Sequence, residues 1–533
     1  MVPTRLELLF GIGACILGKI SCAHPLVVEH LRPTVDLGDA VRMSKRLFES
    51  ATQAVTIAQP PLKKPLLKRA GFGVVCALSF LVVLGLTGCG DTSSPSPETT
   101  KAITLAPNTN EQTVPASQPV TTERPFSSAT SATSATSATS ATSTAPFATI
   151  NVPGDAPTIQ GGVDQAKPGD LVLVAPGSYK EAVFVRTERV VVRGTERNTV
   201  VLDGGNELEN GFTVSANGVA IENLTVHNYV INGIVFTKKY EDNADSLNEE
   251  DVVLKGYRAS YITAYNNGLY GLYAFYARNG QIDNSYVSGN PDGGIYIGQC
   301  NPCNATITNI VGERNAIGFL GTNASGNLSV TNSVWRKNKI GLLPQSEDSE
   351  LLAPQQDVLL AGNLVEDNNG GEAPSYKSWG YGIVIGGGKN NKVLRNLVRG
   401  HKAAGIFVTE LAQYLPVNNT IEENMLSANG VDLAYGASAA KTGAWSAGLN
   451  CFEKNRFTSS SPADIEKALP CDGKDRSVET SPLALQSPSG DVDYRNVTKP
   501  ETQASMTNAA TAPVFPAIGL PVAVDVNSIK LPQ

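Results

Sequence analysis

A surplus of positive charge is the first thing missing from this sequence. Its 42 Lys and Arg are outnumbered by 49 Asp and Glu, giving a formal charge of -7 and a pI near 5.4. That balance leaves no basic footprint, and nucleic acid is not an expected partner. Histidine is scarce as well: of the 4 in the chain, only His227 and His401 lie beyond Cys89. A zinc centre at "CNPC" (300–303) would need two further ligands nearby, so neither a metal nor a cofactor is expected. Charged residues are only 17% of the chain against 41% hydrophobic, which is ample for a core. The apolar run "GFGVVCALSFLVVLGLTGC", with about 15 apolar residues, falls short of the ~20 that a membrane-spanning helix needs.

That run follows Lys63, Lys64, Lys68 and Arg69 and ends at Leu86-Thr87-Gly88-Cys89. A basic segment, a short apolar stretch and small residues before a cut make a signal peptide. The last four residues resemble the lipobox of bacterial lipoproteins. The resemblance implies lipidation of Cys89, an anchor in the bacterial cell membrane, and a body on its extracellular or periplasmic side. A single membrane anchor is the alternative. Residues 1–62 then read as an upstream extension ahead of a later translation start, 63–88 as the signal peptide and 89–148 as a linker. The linker, with "SATSATSATSATSATS", has too few large apolar residues to offset the entropy of ordering.

What is abundant is glycine, at 50 residues, with 32 prolines. The body opens with Ile159, Val163 and Ala166 at helical spacing, stopped by Pro168-Gly169. Short strands follow at "DLVLVAPG", "EAVFV", "VVVRG" and "TVVLDG". Then a motif recurs: "GIVF" at Gly233, "GLYAF" at Gly271, "GIYI" at Gly294, "GFLG" at Gly318, "GLLP" at Gly341, "GIVI" at Gly382 and "GIFV" at Gly405. The steps from Gly271 through Gly294 and Gly318 to Gly341 are 23, 24 and 23, and Gly382 to Gly405 is 23 again. A second marker keeps phase: Asn223, Asn284, Asn309, Asn332, Asn363, Asn396 and Asn424, with Ser260 at the remaining turn.

Such a period fits a coil of three short strands that returns on itself and stacks on the next rung ~4.8 Å away. Ile295 and Ile297 then point into the core and Tyr296 points out. Asn suits the left-handed backbone of a tight corner, and stacked amides can bond from rung to rung. On these residues the segment from about 150 to 450 resembles the right-handed parallel β-helix superfamily, which includes pectate-lyase-like enzymes. The expected fold is all-β: a right-handed parallel β-helix over 149–450 with an N-terminal capping helix, a disulfide-closed C-terminal cap at 451–478, and disordered N- and C-terminal segments, the last an extended tail over 479–533. Fold by itself does not assign function.

Two rungs are long, Gly233 to Gly271 and Gly341 to Gly382. Their surplus residues should emerge largely at one corner, four rungs apart or about 19 Å. Between them the outward residues Val235, Tyr273, Tyr296, Leu320, Leu343, Val384 and Phe407 are apolar where a solvated face would be polar. Two explanations stand: the long loops fold back and cover this face, or it is a ligand groove. In the second, Tyr273, Tyr276 and Tyr296 stack on sugar rings beside Gln299, Lys238 and Glu410. A calcium-dependent lyase would place acidic residues on successive rungs. None is among these outward positions, although Glu347, Asp348 and Glu350 crowd one loop.

Cys300, Cys303, Cys451 and Cys471 remain after Cys89, an even number in an exported chain. "CNPC" is expected to be a corner disulfide, with a redox pair or half a metal site as alternatives. Cys451 and Cys471 are expected to close the last rung around a short helix at "PADIEKAL", beginning at Pro462. His401 falls at the second Asn position of a turn and is expected to be structural. The functional expectation is a monomeric, lipid-anchored β-helix that binds a polysaccharide or other cell-envelope glycan. The alternatives are a polysaccharide lyase or epimerase in the same groove, and a structural or metalloenzyme-assembly surface protein.

Overall fold

The computed structural model describes residues 147–237, 253–436, 443–480, 483, 492–514 and 524–533. Cys89, the signal-peptide segment, most of the linker and Lys238 lie outside the described residues. Among those described, no helix is long and apolar enough to cross a membrane.

The body begins with strand Thr149–Val152 and helix Ile159–Gln165. The Thr158 hydroxyl caps the helix by accepting from the Gly161 N–H, and extended Ala166 ends it. Ile159 and Val163 are buried against the first coil, so the helix closes the open end of the core. Each later coil has three short strands. Gly293–Cys300, Ala305–Thr308 and Val311–Glu313 make one coil; Ile317–Ala324, Leu328–Thr331 and Val334–Arg336 make the next. Pairing is parallel and in step, with Ile295 over Phe319, Ala305 over Leu328 and Val311 over Val334. The glycine-led strands form an 11-stranded sheet, and the other two sides join in a 20-stranded sheet. The body is a right-handed parallel β-helix.

The leading glycines have a direct cause. A Cβ on Gly271 would stand 2.7 Å from the Gly294 carbonyl oxygen, one on Gly294 would stand 2.8 Å from that of Gly318, and one on Gly318 would stand 2.5 Å from that of Gly341. Each rung presses its backbone against the next at this place, and no side chain fits. Behind it, Leu272, Ile295, Phe319 and Leu342 stack as a fully buried column.

The corner asparagines divide into two roles that the sequence period merged. Asn284, Asn309 and Asn332 take left-handed φ values of 48°, 54° and 49°. Asn363, Asn396 and Asn424 sit one place further on, where each amide bonds the next: 3.0 Å from Asn363 to Asn396 and 2.9 Å from Asn396 to Asn424. Ser260 is not the turn residue of its rung. Tyr261, at φ 54°, is. At the other corner a second amide ladder runs through Asn267, Asn290, Asn315, Asn338 and Asn368 to His401 and Asn429. His401 is thus a rung of a hydrogen-bonded stack.

Both disulfides form. Cys300–Cys303 lies at a corner with each residue almost wholly buried in the core, where an attacking thiol has no access. Cys451–Cys471 closes the far end over helix Ile465–Ala468, which starts later than Pro462 and buries Ile465. Replacing Cys451 and Cys471 by Ser together is expected to cost ~3 kcal/mol in denaturant unfolding. A loss under about 1 kcal/mol would mean that this loop adds little constraint.

The C-terminal tail, expected to be extended and disordered, is extended but packed in its described parts. Arg193, buried, donates through Nη1 to the Ala512 carbonyl (2.9 Å) and through Nη2 to that of Pro513 (3.0 Å), while its Nε bonds Glu222 (2.7 Å). Asn198 pairs with both the N–H and the C=O of Gln503, at 2.9 and 2.8 Å. Further on, Val524, Val526 and Ile529 cover Leu359, Ala361 and Leu394. Its Pro, Ser and Thr content predicts an extended tail that lies along the coil or stays disordered. It orders because the coil supplies buried donors for its carbonyls and apolar residues for its side chains.

The second long rung also departs from expectation. Its added residues do not leave at one corner but at two: 346–357 follow strand Ile340–Gln345, and 367–380 precede strand Tyr381–Gly386. The two added stretches, near "PQSEDSELLAPQQD" and "GGEAPSYKSWGYG", are visible in the sequence, whereas the corners they leave from are set by where the strands pair.

Candidate functional site

Alternation along strand Tyr270–Phe275 puts Leu272 and Ala274 in the core and Tyr273 and Phe275 outside. One rung on, Tyr296 stacks on Tyr273 with ring centroids 4.8 Å apart, and Tyr270 lies 4.9 Å from each of them. Tyr273 leads to Phe275 at 5.8 Å, and Phe275 meets Tyr276 edge-on at 4.8 Å. The five rings form one aromatic patch on the outer side of the glycine-led sheet.

Beyond this patch the same side is roofed. Leu320, Leu343, Val384 and Phe407 are buried together with Tyr296, and Tyr376 and Leu483 pack against them. The two loops of the long rung reach this place from opposite corners. Asn323, left-handed at φ 45°, holds the first by donating to the carbonyls of Glu347 (2.8 Å) and Glu350 (3.1 Å). Arg314, bonded to Glu372, holds the second. Covering was one of the two explanations for an apolar outer face, and it accounts for this end of it.

The expected site residues therefore separate. Tyr273 and Tyr276 stay half-buried at the open end. Tyr296, expected as a sugar platform, is 3% exposed, and a ring so covered offers no face to stack on. Gln299 is also buried, and its Nε2 donates to the Tyr276 hydroxyl at 3.2 Å. Glu410 follows strand Ala404–Thr409, five rungs from Tyr273 or about 24 Å, and is not part of this group.

In its place stand acids that the period could not locate. The Tyr296 hydroxyl is bonded to Glu350 Oε1. Burial pushes the Glu350 carboxyl up to about 7, helped by the charge of Glu347 and opposed by the Tyr296 bond. The Tyr270 hydroxyl donates to Asp292 (2.6 Å), whose carboxyl burial also raises. Two buried acceptors here, Glu350 Oε2 and Gln299 Oε1, have no hydrogen-bond partner, a costly state unless something fills it. Glu350 stood out in the sequence only as one of several acids in a loop. Phe275 was within reach, since it lies two positions after Tyr273 on the same side of its strand. Among the described residues no group of three or more His, Cys, Asp or Glu is placed to hold a metal ion.

Residues 252–425 match the family model described as right handed beta helix region. Comparison with curated protein sequences finds no match. Among solved structures, the chain is similar to the Azotobacter vinelandii mannuronan C-5 epimerase AlgE4 A-module, at 13% identity over 55% of this chain and 87% of that one, TM-score 0.38. It is similar to the pectate lyase Pel9A at 13% identity over 56% and 71%, TM-score 0.34. A mannuronic acid specific polysaccharide family 6 lyase from human gut microbiota matches at 12% identity over 58% and 82%, TM-score 0.34. With its matched segment inside stacked parallel coils, the body of this chain is a right-handed parallel β-helix, and its function has to be read from its own side chains.

Proposed function

We propose that this protein is a cell-envelope glycan-binding β-helix, tethered through lipidated Cys89 and the Ser/Thr/Ala/Pro-rich segment that follows it. Its binding surface is the open aromatic end of the glycine-led face. One observation carries the reading: Tyr273, Phe275 and Tyr276 stay half-buried and in ring contact on an outer face that is roofed further along. Flat rings of this kind suit the apolar faces of sugars. On a glycan array, Tyr273→Ala with Tyr276→Ala is expected to weaken binding about tenfold or more. Unchanged binding by that double variant would move the site elsewhere.

The second reading is a lyase or epimerase in the same groove. Glu350, held at about 7, has the proton affinity of a general base at neutral pH. Formation of unsaturated or epimerised sugar by the wild type, abolished in Glu350→Gln while binding persists, would replace recognition with catalysis. The role in metalloenzyme assembly drawn from "CNPC" has lost its support, since both sulfurs are tied up inside the core.

A further inference from the structure

We propose that the side of the coil beneath the C-terminal tail is a peptide-binding groove, and that the tail of a second copy exchanges with the chain's own. The groove belongs to the 20-stranded sheet and its turns, not to the sheet that carries the aromatic patch. It reads main chain. No residue from Val497 to Val514 is in a strand, and side chains of the coil take the tail's backbone groups instead. Asn266 donates to the Val497 carbonyl at 3.0 Å, and Arg197 Nη1 to that of Ala504 at 2.8 Å. The Met506 N–H donates to Asn223 Oδ1 at 2.7 Å. With Asn198 on Gln503 and Arg193 on Ala512 and Pro513, these contacts follow the tail along its length.

The coil itself aims these groups. Arg193 Nε is pinned to Glu222 at 2.7 Å and Arg197 Nε to Thr263 at 2.8 Å, so each fork has a fixed orientation. Asn223 Nδ2 is held by the Gly194 carbonyl at 2.8 Å, which turns Oδ1 towards the tail. The device recurs far along the coil: Arg395, pinned through Nε to Glu423 at 2.5 Å, donates through Nη1 to the Val526 carbonyl at 2.8 Å. Donors fixed in advance lose little freedom when a chain arrives.

Of tail residues 497–514, only Val497 and Ala509 are buried. The groove therefore asks for an aliphatic residue, a small one twelve positions later, and an extended backbone between them. The sequence that the structure shows to meet this demand is the tail, which every copy carries. Polar contacts of this kind return little net free energy, whereas fixing so many residues costs about as much. A tail held mainly by them opens and recloses. When two copies meet with tails open, each finds the same clamps on its neighbour, and the return exchange is intramolecular.

A fluorescent peptide of residues 496–514, titrated into the full chain, tests the groove. In Gln503→Pro with Met506→Pro, the tail loses the N–H groups that Asn198 and Asn223 accept, while the coil is untouched. This variant is expected to bind the peptide at least about tenfold tighter than wild type, whose own tail competes. Adding Asn198→Ala should undo the gain. Exchange is tested by mixing tagged and untagged wild type at about 1 mM, where binding within and between copies competes. Untagged chain should copurify with tagged, and excess peptide should prevent it. Hydrogen exchange on wild type needs no variant: the Gln503 and Met506 amides should exchange at least about a hundredfold faster than that of core Phe319. Equal protection would make the tail a fixed part of the coil and overturn the proposal. Failure of the folded proline variant to bind the peptide would overturn it too, as would copies that never copurify.

Discussion

Gly318→Ala is expected to leave the protein insoluble, or to cost ~3 kcal/mol or more if it folds. The added methyl carbon would stand 2.5 Å from the Gly341 carbonyl oxygen and 2.8 Å from Cε3 of Trp335. The first obstacle is backbone of the next rung, already paired through Phe319 over Leu342. The second is a fully buried indole. Neither can retreat without parting two coils, and each coil leans only on its neighbours. Gly371→Ala is the matched control: its Cβ would meet nothing within 4 Å, and the change should stay within about 0.5 kcal/mol. Thermal unfolding of both variants checks the pair. A Gly318→Ala protein that melts with the wild type would show that the repeat glycines do not mark a close approach of rungs.

His401→Asn should remove a large part of the protein's acid sensitivity. In the ladder the Asn368 amide meets His401 Nε2 at 3.0 Å, and His401 Nδ1 meets Asn429 Oδ1 at 2.9 Å. A neutral ring fits that order, accepting at Nε2 and donating at Nδ1, whereas a proton on Nε2 would set donor against donor. Burial accordingly pushes the imidazole down to about 4. The unfolded chain takes up this proton near pH 6.5 and the folded one only near 4. Stability from the neutral ring is therefore complete above pH 6.5 and is lost as pH falls towards 4, by ~3 kcal/mol in all. Asn fills the equivalent place on six other rungs, Asn267, Asn290, Asn315, Asn338, Asn368 and Asn429, and does not titrate. The difference between wild-type and variant stability from pH 4 to 7 isolates this group, because the opposite shift at Glu350 and the lowered His227 are common to both. A flat difference curve would refute the ladder role.

These two cases show what kind of structure a linear pattern can reveal. Gly318 and His401 were legible because a coil repeats: equal spacing along the chain becomes vertical stacking in space, so a residue's neighbours can be counted off. The same arithmetic placed Ile295 and Ile297 inside and Tyr296 outside. It blurred where two neighbouring columns carry the same residue type. That is why Asn332, a left-handed corner, and Asn363, an amide rung, were grouped together, and why Ser260 was taken for Tyr261.

The candidate site was legible only in part, for a physical reason. Strand positions follow the period, and they correctly offered Tyr273 and Tyr296 as outward. Exposure does not follow it. Whether an outward ring meets water depends on how 346–357 and 367–380 fold, and those segments obey no repeat. Asn323 and Arg314 steer them with a few polar contacts that leave no trace in spacing. Glu350 reached Tyr296 by that route, and Glu410 proved distant because rungs add along the axis.

Order along the chain sufficed for the coil, its core column and its glycine seam, since each follows from near neighbours repeated at constant distance. Which aromatic rings stay open, which acid joins them, and that the tail lies bonded to Arg193 and Asn198 were settled only when distant segments met. Burial is a property of the assembled surface, and a proton's affinity or an unpaired acceptor exists only once that surface has closed around it.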